Sequence, residues 1–273
     1  MRLTRADQLR AGNSTLNIGF AIAGTVGAAA GGALAALTTP KVPLFAAAAC
    51  FMVGAMLVRR TPRARPQAEA DNALAHLREG VAFARSDRNV FVLISVQTAA
   101  LLAFMLVIPI EVVYAERDLG VGAGGYGALL ATWGAGIIVG GALFARALWP
   151  LTLLAAAASL AVAAAYGGLA LAPNLVIACV ASFVGGVGNG VQWVAVLTAL
   201  QERVPEAMQV RVVGLLDAGA QLAPGLGFAL GSVLTALLSA RATYAVAGVA
   251  TTVAALGFFV IHARASRRLA TVL

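Results

Sequence analysis

The segment "IGFAIAGTVGAAAGGALAAL", residues 18 to 37, runs for twenty positions without a charge and carries five glycines. In water each interior glycine costs a helix about 1 kcal/mol relative to alanine, so a soluble helix seldom holds five. In a bilayer the backbone must satisfy its own hydrogen bonds, and small residues let helices approach closely. Twenty apolar residues also match about 30 Å of hydrocarbon at about 1.5 Å per residue. Eight such runs can be placed, near 14–37, 42–58, 90–113, 123–145, 151–172, 175–200, 212–238 and 243–262. Only 11% of the residues are charged and 61% are apolar. The chain therefore reads as an all-α membrane protein with eight transmembrane helices.

A net charge of +8 raises the question of nucleic acid, and the placement of the charges answers it. Three basic residues precede the first run, seven lie between the second and third, one follows the fourth, two follow the sixth and three follow the eighth. Those 16 fall on one side, against Lys41, Arg117 and Arg241 on the other. Positive charge accumulates on the cytoplasmic side, so both termini and the 59–89 loop are expected there, in a multi-pass cell-membrane protein. Topology accounts for the charge, and no nucleic-acid partner is implied. The loop should begin as an irregular Pro/Arg-rich linker and become an amphipathic helix from about Asn72. Its Leu74, Leu77, Val81 and Phe83 or Ala84 should face the membrane surface. Cys50 and Cys179 lie inside apolar runs with no His or second Cys at metal spacing, and read as small core residues. No metal or cofactor is implied.

An internal repeat organises the chain. Residues 19–37 set over 219–237 give eight identities in nineteen positions, among them Gly19/Gly219, Gly27/Gly227 and Gly31/Gly231. Upstream, "LTRADQLRAGN" parallels "VPEAMQVRVVG", with Arg10 matching Arg211 after one gap. The first and seventh helices are therefore equivalent members of two parallel six-helix repeats. On this count residues 1–58 hold the last two helices of an N-terminal half, 59–89 a cytoplasmic central loop, and 90–273 a six-helix C-terminal half. The chain then corresponds to helices 5 to 12 of twelve, with the first four absent.

Two parallel six-helix halves resemble the major facilitator superfamily, and within it bacterial drug and siderophore exporters of the enterobactin-exporter and macrolide-efflux type. The fifth helix of those exporters carries an antiporter motif close to G-P-x-x-G-G. Here Gly27-Ala28-Ala29-Ala30-Gly31-Gly32 stands at that place, with Ala28 where the proline would be. The segment "GGALFARAL" (140–148) is similar to a degenerate copy of the family's G-x-x-x-D-R loop motif, of which Arg146 remains. The resemblance implies a contact between halves at the first helix, where Gly19, Gly27, Gly31 and Gly32 serve either as a sliding surface or as static packing. The first helix is expected near the seventh through these glycine faces.

Polar residues inside the runs are few. Glu111, at the outer end of the third, reads as an interface anchor. Asp217 lies about five residues into the seventh, where a carboxylate needs a cavity, a partner or a proton. It is a candidate for proton coupling, or a structural partner of Arg203 or Arg211. Asn189, Gln192 and Trp193 share one helix face, as do Asp217 and Gln221. With Gln97 and Trp133 they offer either a substrate-binding lining or interhelical hydrogen bonds. "GVGAGGYG" and "GGVGNG" lack the strand before and the Lys-Ser/Thr after that a phosphate loop needs.

Three functions compete. A proton-coupled exporter of small amphipathic molecules, working by alternating access between the bilayer's two faces, absorbs most of these features. A membrane-embedded transferase would need paired acids or His/Glu pairs at membrane depth, and no two acids lie together in any run. A truncated, non-transporting fragment or interaction subunit is the third. The leading expectation is a transporter rather than an enzyme, without cofactor, whose partners are the bilayer and a small-molecule substrate.

Overall fold

Helix boundaries fall where side chains can hold open backbone groups. In the computed structural model, which describes residues 6–39, 41–60 and 73–270, the Asp87 carboxylate accepts from the N–H groups of Asn89 (2.8 Å) and Val90 (3.3 Å). It thereby caps a helix beginning at Arg88. Asn174 does the same for Ile177 at 3.1 Å, and Pro150 and Pro205 stand immediately before two more helices. The elements are α1 (Ala6–Leu37), α2 (Lys41–Arg60), α3 (Ala73–Ser86), α4 (Arg88–Val107), α5 (Glu111–Val113), α6 (Gly122–Arg146), α7 (Leu151–Leu171), α8 (Leu175–Arg203), α9 (Glu206–Leu237) and α10 (Ala240–Ala270). A 3₁₀ turn, Ile108–Ile110, joins α4 to α5, and a π turn, Tyr114–Asp118, follows. The expected irregular linker at 61–72 lies outside the described residues.

Among the described residues six stretches are long and apolar enough to cross a membrane: Arg88–Asp118, Gly124–Arg146, Leu151–Leu171, Leu175–Arg203, Glu206–Leu237 and Ala240–Val260. The two further spans expected ahead of them correspond to α1 and α2. The described apolar stretches of these helices, Ser14–Gly24 and Lys41–Leu57, are shorter than a span.

The bundle closes around two apolar cores. One, in the half of the bundle near α3, gathers Val90, Leu93, Phe144, Leu200, Val212 and Phe258. The other, at the opposite end, gathers Val107, Ile110, Tyr114, Leu129, Tyr166 and Tyr244. Glycine sets the helix crossings. A Cβ on Gly136 would stand 2.8 Å from the Val187 backbone nitrogen, and one on Gly190 2.5 Å from the Ile137 carbonyl oxygen, so α6 and α8 meet backbone to backbone. "GGVGNG" is thus a crossing surface in mid-helix. On α9, a Cβ on Gly219 would stand 2.9 Å from Thr98 Oγ1, while Gly227 and Gly231 abut Met105 and the Leu106 carbonyl of α4.

The repeat partner α1 behaves differently. Among the described residues no heavy atom lies within 4 Å of a Cβ built on Gly19, Gly24, Gly27 or Gly31, and the packing of Gly32 lies outside what is described. Among the described residues the α9 glycines Gly219, Gly227 and Gly231 face α4, not the α1 glycines. Instead α1 leans on α6 and α8. Ser14 Oγ donates to the Gly141 carbonyl at 2.6 Å, Asn17 Nδ2 donates to the Gly190 carbonyl at 3.3 Å, and Ile18 lies against Gly141.

Helix α3 also departs from expectation. It forms where predicted, yet Ala84 is buried and Phe83 packs against the first core rather than a membrane surface. Gly80 permits this docking, since a Cβ there would stand 2.8 Å from the Arg211 carbonyl oxygen, and Glu79 pairs with Arg211 Nε at 3.0 Å. Cys50 is exposed on α2, not part of a core, and Cys179 is partly buried on α8.

Candidate functional site

Four side chains in the bundle interior each carry a buried polar atom with no hydrogen-bond partner among the described residues. Gln97, midway along α4, and Gln192, on α8, are each 4% exposed. Gln97 Oε1 and Gln192 Nε2 are buried with no hydrogen-bond partner among the described residues, as are Trp133 Nε1 on α6 and Tyr166 OH on α7. An unmet buried polar atom costs about 1–3 kcal/mol, so native cores rarely keep several without a use. Trp133 is fixed from several sides. Its ring stacks on Tyr166 at 6.0 Å between centroids, tilts against Phe104 at 5.7 Å, and fills the space a side chain at Gly185 would take.

Of the other predicted residues, Asn189 and Trp193 share the α8 face with Gln192 and are partly buried. Asp217 and Gln221 stand one turn apart on α9, both exposed, and neither makes a hydrogen bond or ion pair among the described residues. Helix α9 begins six residues before the expected start, so Asp217 stands about 16 Å along the axis from Glu206. Asp217 pairs with neither Arg203 nor Arg211 in this structure, as both contact other acids. Arg203 Nε contacts Asp87 Oδ2 at 3.3 Å, and Arg211 Nε contacts Glu79. A carboxylate within an apolar helix, exposed and without a cation, is tolerated where it faces water rather than lipid.

Asp87 stands outside the spans and shows the contrasting case. Burial raises its carboxyl, but the N–H groups of Asn89 and Val90 and the Arg203 guanidinium outweigh that and hold it below its ordinary value. Among the described residues no group of three or more His, Cys, Asp or Glu could hold a metal ion. An open apolar groove of about 420 Å³, lined by Thr132, Leu175, Val176, Cys179, Val180 and Phe183, bears no convergent polar groups.

Sequence reasoning missed Tyr166 and Phe104. Tyr166 stands alone in the alanine-rich "LAVAAAYGGLA", where a single large polar-tipped ring was the available signal.

Residues 93–271 match the family model described as Major Facilitator Superfamily. No curated protein and no solved structure matches the chain.

Proposed function

Because the chain belongs to the major facilitator superfamily, we propose that this membrane transporter is a proton-coupled exporter of small amphipathic molecules that works by alternating access. The reading is supported above all by the buried, unpartnered polar atoms of Gln97, Gln192 and Trp133. A substrate with an apolar body and one or two polar groups would satisfy them and stack on the Trp133 ring. Asn189, Trp193 and Gln221 extend this lining, and Asp217 carries the coupling proton. Residues 1–58 act as the end of an N-terminal half in an eight-helix chain, 59–89 as the cytoplasmic central loop and 90–273 as the C-terminal half. Gly19, Gly27, Gly31 and Gly32 form the surface between halves.

The test is transport of ethidium, an amphipathic fluorescent cation, by the protein in liposomes under an imposed pH gradient. The wild type should move the dye, whereas Asp217→Asn should bind it and lose the response to the gradient. Undiminished gradient-driven transport by Asp217→Asn rules out the coupling role. A second reading, an interaction subunit, draws on the open glycine face of α1 and the exposed side chains of α2. It predicts no gradient-driven movement of any amphipathic probe by the reconstituted chain.

A further inference from the structure

Arg146, in the last turn of α6, takes no part in the site described above. Between Asp118 and Glu202 it is the only charged residue in the sequence. Arg203, Arg211 and Arg241 each contact a carboxylate, those of Asp87, Glu79 and Asp118. Arg146 is exposed, and among the described residues it makes no hydrogen bond or ion pair.

Its neighbours are apolar and turned outward. Ala147 leaves the helix in an extended conformation and Pro150 stands before α7, so Leu148 and Trp149 form the tip of a short turn. Phe144 before it and Leu151 after it are buried in the core near α3, which pins both ends of the turn. Leu148 is left 96% exposed and Trp149 59% exposed. Along the helix Val139, Leu143 and Arg146 follow at i, i+4 and i+7, so they share one face, and all three are exposed. The other faces of α6 are taken, by α8 at Gly136 and Gly140 and by α1 at Gly141. The free face is thus an apolar stripe, about 10 Å long from Val139 to Arg146, that ends in an uncompensated guanidinium and an indole.

We propose that this corner binds an anionic phospholipid, with the phosphate on Arg146, the Trp149 ring at the headgroup boundary and an acyl chain along Leu143 and Val139. The stripe is shorter than one leaflet, half of about 30 Å of hydrocarbon. Tryptophan suits the boundary because its ring is apolar while its N–H can reach a headgroup oxygen. Arginine suits it because the guanidinium matches phosphate geometry and the stem can lie along apolar surface. A zwitterionic lipid brings its own cation beside the phosphate, so an unpaired positive charge selects a headgroup of net negative charge. A second copy of the chain is a poorer occupant. A two-fold contact through this turn would set Arg146 against Arg146, with no acid in the turn to separate them.

The test uses the full chain in phosphatidylcholine liposomes, with brominated phosphatidylglycerol or brominated phosphatidylcholine added at equal mole fraction. Bromine quenches tryptophan emission on contact, and the Trp149 contribution is the part of the emission lost in Trp149→Phe. Brominated phosphatidylglycerol should quench that contribution at about one fifth of the mole fraction that brominated phosphatidylcholine needs, the scale expected of one arginine near an anionic headgroup. The preference should shrink with added salt, vanish in Arg146→Gln and persist in Arg146→Lys. Equal quenching by the two lipids, or a preference that survives Arg146→Gln, overturns the site. Quenching of the Trp149 contribution by neither lipid overturns it as well, since protein rather than lipid would then cover the turn. The measurement reads lipid contact alone, so the site stands or falls independently of gradient-driven transport.

Discussion

Single residues in this protein divide by whether their polar atoms are met. Gln97 and Gln192 have buried atoms that are not, which makes them costly to the fold and useful to a ligand. Gln97→Leu or Gln192→Leu removes the unmet group while keeping most of the volume. Each variant should raise stability in detergent by about 1 kcal/mol while lowering ethidium transport by about tenfold or more. Thermal unfolding beside the liposome assay checks both, and a destabilised, fully active variant would show that these amides serve packing. Asp87 is the opposite, a carboxylate satisfied on both oxygens. Its folded-state value is depressed, so the stability it contributes is complete above the unfolded value of about 3.9 and is lost as pH falls through the folded one. Hydrogen exchange in the first turn of α4 should therefore be flat from neutral pH down to about pH 5, after correction for intrinsic rates, and rise below pH 4. Asp87→Ala should weaken that turn by about 1 kcal/mol, and Asp87→Asn, which still caps, by less.

At the scale of elements, glycine is the main instrument, and its effect depends on what faces it. The α6–α8 and α4–α9 crossings are backbone contacts that no larger residue allows. Gly186→Val would drive its Cβ into the Trp133 carbonyl, while Gly231→Val would meet the Leu106 carbonyl. Each should cost about 3 kcal/mol or more, since rigid backbone rather than a flexible side chain must yield. Gly27→Ala places its methyl in open space on α1 and should leave the chain's own stability within about 0.5 kcal/mol or raise it slightly. Thermal unfolding of the three variants separates these outcomes. A Gly27→Ala variant as damaged as Gly231→Val would mean that α1 packs against another element after all.

For the whole molecule, the charge asymmetry and the helix order make one prediction about orientation. If basic loops lie in the cytoplasm, a cysteine replacing Ser86 at the end of α3 is reached only from inside. One replacing Pro173, exposed in the α7–α8 turn, is reached from outside. In a background with Cys50 and Cys179 changed to Ala, a membrane-impermeant maleimide added to intact cells should label position 173 and not 86. The reverse pattern would invert the topology. Helix α3 docks on α4 and α9 at this end of the bundle through Gly80, Ala84 and the Glu79–Arg211 pair.

What the sequence determined by itself are the properties that add up along the chain: apolar lengths, the side on which arginines collect, and the glycine repeat linking α1 to α9. These suffice for a helical membrane protein and for the starts of α7 and α8, because hydropathy and capping act within one or two turns. What only the tertiary structure decided is which faces meet. Identical glycine spacing leads α9 to a backbone contact with α4 and leaves α1 open, since the repeat says nothing about which neighbour is present. Arg203 and Arg211 stand near Asp217 in sequence yet pair with Asp87 and Glu79, because the α3–α4 corner brings acids of fitting geometry to them. The four tyrosines are separated by up to 130 residues and meet in one core only once the helices have packed. Contacts of that kind depend on helix rotation about the axis, which no local pattern encodes.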